Sequence, residues 1–286
     1  MTTRVRAATA GLVAAPVHEL DGDAVERVRS RLEAGVADAA AGLSGGQPLE
    51  VGLPLLRRAR YRPELLGLPD EPFAWKSVFV RRSLGLEIVR ACMEGRYRGP
   101  AAAAGPVVDH AVEEWRRTGW RTVHWEPWVA GLGVGARSVV LADAVTWASP
   151  LWAAFDWPDL RGKAEFGGVD DRWSCPGVDS VHLKGRSEVR IHGGGSPRSP
   201  VSLLSVASGR PGDGWRDELA YVALVATLSA AERMAPARVV GLWPDAGFRL
   251  AVEVDEGMLT SAVDRVVDAV AVTADVRATG PATEVA

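Results

Sequence analysis

The chain has 286 residues, 47% hydrophobic and 24% charged, with a formal net charge of −3 at pH 7. This balance fits one large or two modest globular cores and excludes wholesale disorder. No apolar run reaches the roughly 20 residues of a membrane span, Cys92 and Cys175 are too few for a disulfide framework or a four-cysteine cluster, and the acidic balance argues against tight, autonomous binding of nucleic acid, where phosphate contacts dominate affinity.

Residues 1–20 read as a loose arm or an initial strand. Their basic-then-apolar opening lacks a long apolar block and is interrupted by Pro16 and His18, so no secretory leader is expected and the expected location is the cytoplasm. From Asp21 to about Leu43 the pattern is helical. Val25, Val28, Leu32, Val36 and Ala39 recur at three- and four-residue steps, Asp21 or Asp23 supplies an N-cap, and Gly45-Gly46-Gln47-Pro48 stops the helix. Residues 61–74 are proline-rich and irregular. A second helix is expected from Lys76 to about Tyr97, with Val80, Leu84, Ile88 and Cys92 on one stripe. A third runs from Ala101 to Thr118 before Gly119, and a fourth from about Arg137 to Phe155. Tryptophan concentrates in this part of the chain, from Trp115 to Trp173. Such residues either stack on bases or, more simply, wedge the helical part against the sheet part.

Beyond residue 160 short β-type runs appear at Ser180–Leu183, Glu188–Ile191, Val201–Val206, Val239–Trp243 and Phe248–Val254. Helices at Trp215–Met234 and Glu256–Val272 interleave with them. The expected class is α/β (α+β): a mainly helical, tryptophan-rich region over 1–160, a mixed sheet flanked by helices over 161–275, and a tail over 276–286.

Within the second part, Gly185-Arg186-Ser187-Glu188 is followed by Leu203-Leu204-Ser205-Val206-Ala207-Ser208-Gly209 and then by Asp217-Glu218-Leu219-Ala220-Tyr221. This order resembles the RecB-type branch of the PD-(D/E)XK nuclease superfamily. There a hairpin carries Gly-Arg-x-Asp, the next strand carries Asp-x-Lys-x-Gly after two apolar residues, and a helix carries Gln-x-x-x-Tyr. The resemblance covers the last 110 residues or so and implies a restriction-endonuclease-like sheet. In such a site two carboxylates on adjacent strands hold a divalent metal that activates water, and the lysine, on the same strand face as the second carboxylate, offsets developing charge.

This sequence departs from the pattern where the chemistry sits. Glu188 stands at the first carboxylate position, but Ser205 replaces the second carboxylate, Ala207 replaces the lysine and Asp217 replaces the glutamine. With Glu188 as the one remaining metal ligand, the resemblance implies a degenerate site and a pseudonuclease that acts by binding DNA or a protein partner; the sequence itself gives no reason to expect a membrane or an organic cofactor. Two alternatives remain open. One is a Mg²⁺-dependent deoxyribonuclease whose site has migrated to Glu165, Asp170, Asp171 and Lys184, with Lys163 nearby. The other is an interaction module without nucleic-acid contact. His110 and His124 lie where some relatives place an upstream ligand, although a single histidine is more often structural. No Walker A, HExxH or GxGxxG pattern occurs.

Overall fold

The computed structural model describes residues 3–14, 20–43, 48–66, 68, 74–119, 125–178, 180–193, 201–230 and 235–279, with the side chains of 168–170 outside that description. The described residues form nine α-helices around one six-stranded mixed sheet, an α/β architecture with a mainly helical N-terminal region.

The arm expected at the N-terminus is instead a helix, α1 (Thr3–Val13). Tertiary contacts hold it: the Ser202 hydroxyl donates to the Leu12 carbonyl at 2.6 Å, and the Asp156 N–H donates to the Thr9 hydroxyl at 2.7 Å. Helix α2 (Gly22–Ala39) begins where its cap predicts, with the Asp21 carboxylate accepting from the Ala24 N–H at 2.6 Å. Two elements absent from the sequence reading follow, strand β1 (Leu49–Val51) and helix α3 (Leu53–Tyr61). Three residues are too few to show alternation, and β1 is defined only by its parallel pairing with a strand 132 residues later. Helices α4 (Ser77–Met93), α5 (Pro100–Thr118), α6 (Glu126–Ala130) and α7 (Val134–Ala154) complete the N-terminal part.

The sheet corrects the expected strand boundaries. Strand β2 (Ala164–Ser174) falls outside the expected β-type runs, since Gly167-Gly168 and Asp170-Asp171 interrupt any local apolar alternation. Strand β3 (Val181–His192) is continuous through Gly185-Arg186, where two separate strands were expected. Strand β4 (Val201–Val206), helix α8 (Trp215–Ser229), strands β5 (Arg238–Trp243) and β6 (Phe248–Glu253) and helix α9 (Glu256–Thr279) follow. Helix α9 runs beyond Val272 and into the segment expected as tail, since no breaker precedes Gly280.

Strand β2 lies antiparallel along one edge of β3, with an irregularity between Phe166 and Val169. The other edge of β3 is shared: β1 pairs with its first residues, Val181–Leu183, and β4 with its last, Val189–His192. Strand β5 is parallel to β4, and β6 closes the sheet antiparallel to β5.

Each face of the sheet has a core. The first packs α2, α8 and α9 over Val181, Leu183, Leu203 and Val239. The second packs α4, α5 and α7 over Val189, Ile191, Leu204 and Val240, and buries Trp125, Trp147 and Trp157. The boundary between residues 160 and 161 falls in the turn before β2, but both cores draw side chains from both sides of it.

Candidate functional site at the fork of two strands

Along β3 the side chains change face. Val181 and Leu183 belong to the first core but Val189 and Ile191 to the second, although strict alternation would keep all four on one face. The change falls at Ser187-Glu188-Val189, three consecutive buried residues. Here β3 has left β1 and is joining β4, and the β3–β4 ladder begins at the pair Val189–Leu204. One step beyond that pair the two strands diverge, leaving a fork. Glu188 stands on one arm of it and Ser205 and Ala207 on the other, so the structure brings these three positions together.

Glu188 is only 2% exposed. One of its carboxylate oxygens pairs with the Arg82 guanidinium from α4 and the other accepts the Val206 N–H at 2.8 Å. The second bond supplies β4 with an acceptor where the backbone ladder has ended, and Arg82 neutralises the carboxylate. The Ala207 N–H is used by the Leu242 carbonyl of β5 at 2.9 Å. On β5, the residue in register with Ser205 is Gly241, and the Trp243 indole and the Leu219 side chain fill the space a Cβ there would occupy. The fork is thus closed by an arginine, a backbone amide and packed apolar groups. Beside it the Asp245 carboxylate accepts from the Gly209 N–H at 2.7 Å and from Arg81 at 3.1 Å, which ties the turn after β4 to α4.

The other predicted positions are dispersed. Tyr221 is buried on α8. Its hydroxyl donates to the Val51 carbonyl at 2.5 Å and accepts from the Lys184 N–H at 3.2 Å, joining β1 to β3, and burial pushes its phenol well above the usual range. Gly185 admits this helix: a Cβ there would lie 2.8 Å from the Val225 side chain of α8. Asp217 faces away from the fork into a cleft of about 220 Å3 between α3, α8 and α9, where Arg60 and Arg265 hold it, the latter at 2.9 Å. Glu218 beside it takes both nitrogens of a fork from Arg57, at 2.6 and 2.7 Å.

Among the positions considered for a migrated site, Asp171 is buried on β2 and receives Arg190 at 2.9 and 3.1 Å. Glu165 is exposed near the start of β2, 3.8 Å from the His192 ring. Lys184 lies on β3, and Lys163 is exposed before β2. Asp170 has its backbone in β2, in register with Arg186, and its side chain lies outside the described residues. His110 is exposed on α5, and His124 is outside the described residues. Among the described residues no three His, Cys, Asp or Glu side chains converge as a metal site. Cys92 and Cys175 are buried free thiols, each pushed up to about 11 by burial, which keeps them protonated and poorly nucleophilic.

Arg82 is the residue that sequence reasoning missed. It lies off the apolar stripe of α4, and only its position opposite a carboxylate 106 residues away gives it a role. No protein-family profile matches the chain, and no curated protein matches its sequence. No helix among the described residues is long and apolar enough to cross a membrane.

Proposed function

We propose that the chain is a nuclease-like binding protein of the PD-(D/E)XK type that does not cleave, and that it works by engaging DNA or a protein partner. The observation that carries this reading is the state of Glu188: the one carboxylate at the expected position is buried, with both oxygens committed to Arg82 and to the Val206 N–H. A metal there would have to displace an arginine, and Ser205 and Ala207 bring neither the second negative charge nor the cation that hydrolysis needs. The element order is in keeping with such a scaffold. A three-strand antiparallel run, β2 to β4, is followed by α8 and by β5 parallel to β4. The migrated-site alternative draws less support, since Asp171 is engaged by Arg190 and Glu165 is exposed beside the His192 ring. Two buried reduced thiols suit a cytoplasmic setting.

The test is a cleavage assay. Linear, nicked and single-stranded DNA incubated with the protein and Mg²⁺ or Mn²⁺ should remain intact. Metal-dependent cleavage that disappears in Glu188→Ala would overturn the proposal and favour an active nuclease.

A further inference from the structure

The face of β2 and β3 that carries Arg172, Ser174, His182, Lys184 and Arg186 is covered by neither core. Trp173, Cys175, Val181 and Leu183 point into the first core, and the second core reaches β3 only at Val189 and Ile191. The intervening residues are exposed or half-buried. Arg172 and Lys184 are direct cross-strand partners in the ladder, and Arg186 follows two residues further along the same face. Like charges placed opposite one another in a sheet repel, and proteins commonly relieve this with a neighbouring carboxylate. Elsewhere in this chain Arg27, Arg31, Arg57, Arg60 and Arg190 all have one. Among the described residues the side chains of Arg172, Lys184 and Arg186 make no hydrogen bond or ion pair. The acids nearby are Glu50, exposed on β1 in register with His182, and Asp170, in register with Arg186. Asp171 belongs to the other face and to Arg190. His182 and Ser174 share a hydrogen bond of 2.9 Å between the ring Nδ1 and the hydroxyl, and they extend the polar strip.

The geometry points to this uncovered sheet face as a binding surface for the phosphodiester backbone of an extended single strand of nucleic acid. The proposal rests on the reading of the chain as a non-cleaving binding protein, and it names the surface and the ligand. Residues two apart on a strand lie about 6.6 Å from one another and neighbouring strands about 4.8 Å apart, so the three cations form a narrow strip that successive phosphates of one strand could follow. The repulsion carried by the free protein is released when phosphates come between the cations. The strip ends at the fork, since Arg186 precedes Glu188 by two residues, and so a bound strand would run toward the closed site without meeting a catalytic group. The contacts are to charge alone, which makes the binding independent of sequence and steeply dependent on salt.

The experiment measures fluorescence anisotropy of a labelled oligothymidylate with the full chain at several salt concentrations, without divalent metal. The comparison set is the wild type, Arg172→Gln/Lys184→Gln, Arg186→Gln, and Arg116→Gln on α5 as a charge control. Wild type and Arg116→Gln should bind alike at low salt. The double variant should lose about tenfold or more, and its plot of log affinity against log salt should be shallower by about 1.4, that is 0.7 for each lost phosphate contact. Arg186→Gln should lose about half that slope. All the variants are at exposed or half-buried positions, and the double variant should melt no lower than wild type because it removes a repulsion. No binding by wild type at low salt would overturn the surface, as would equal binding by the double variant. Displacement of the oligonucleotide by polyglutamate at equal charge would also overturn it and point to an acidic protein partner. Failure here leaves the non-cleaving reading standing, because that is decided by the separate cleavage assay.

Discussion

Glu188 and Arg82 show how one ion pair can close a site. The carboxylate is buried, whereas the arginine keeps 38% of its side chain exposed, so the two halves of the pair are not equivalent. Removing Arg82 strands a buried negative charge. Removing Glu188 leaves the Val206 N–H without its acceptor but frees an arginine that still reaches water. Arg82→Ala should therefore cost about 3–5 kcal/mol and Glu188→Ala about 2 kcal/mol. Arg82→Leu combined with Glu188→Leu should cost less than the two single losses added together, because the pair is then replaced by apolar groups. Urea denaturation of the three variants checks the ranking. If Arg82→Ala were the mildest, the carboxylate would not depend on that arginine, and the case against a metal at Glu188 would weaken.

Among the elements, α8 does most to organise the site. It crosses β3 at Gly185, where the absence of a Cβ allows Val225 to approach, and it plants Tyr221 between β1 and β3. Strand β1 has only three residues and depends on that hydroxyl. Tyr221→Phe keeps the packing but leaves the Val51 carbonyl and the Lys184 N–H short of a partner, at a cost of about 1–3 kcal/mol. In hydrogen exchange, the amides of β1 and of the first residues of β3 should lose protection in this variant while β5 keeps its own. A uniform loss across the sheet would mean that the hydroxyl supports the whole core. The tyrosine matches the helix pattern of the nuclease resemblance, but its observed contacts are those of a structural staple. Helices α4 and α7 meet by a similar device: Gly85 lies so close to the Trp147 ring that any Cβ would collide with it.

At the scale of the whole molecule, the two cores share one sheet, and about a quarter of the first core's buried residues come from the N-terminal part. Val28, Leu32, Val36, Leu49 and Val51 pack there with α8 and α9. A fragment of residues 161–279 would expose the face that α2 covers and would lose β1 from the edge of β3. It should fail to give a cooperative thermal transition, whereas the full chain should give one. Circular dichroism and differential scanning calorimetry distinguish the two. A fragment that melts cooperatively would mean that residues 161–279 fold as an independent domain.

The amphipathic stripes of α2 and α4, the Asp21 cap, the glycine that ends α5 and the run that forms β4 were legible in the sequence, because each rests on contacts within one turn or one strand. So were the departures at Ser205 and Ala207, which are matters of residue type. Strands β1 and β2, helix α1 and the continuity of β3 through Gly185-Arg186 were not legible. Their state is fixed by partners far along the chain, and locally Gly167-Gly168 or Gly185 reads as a break. The same reason governs the candidate site. The sequence by itself determined that Ser205 and Ala207, on the strand that follows Glu188, carry no charge. Only the tertiary structure decided that Arg82 and the Val206 N–H occupy it, and that Arg172, Lys184 and Arg186 share an uncovered face, because charge pairing across strands and helices depends on distances that no local pattern encodes.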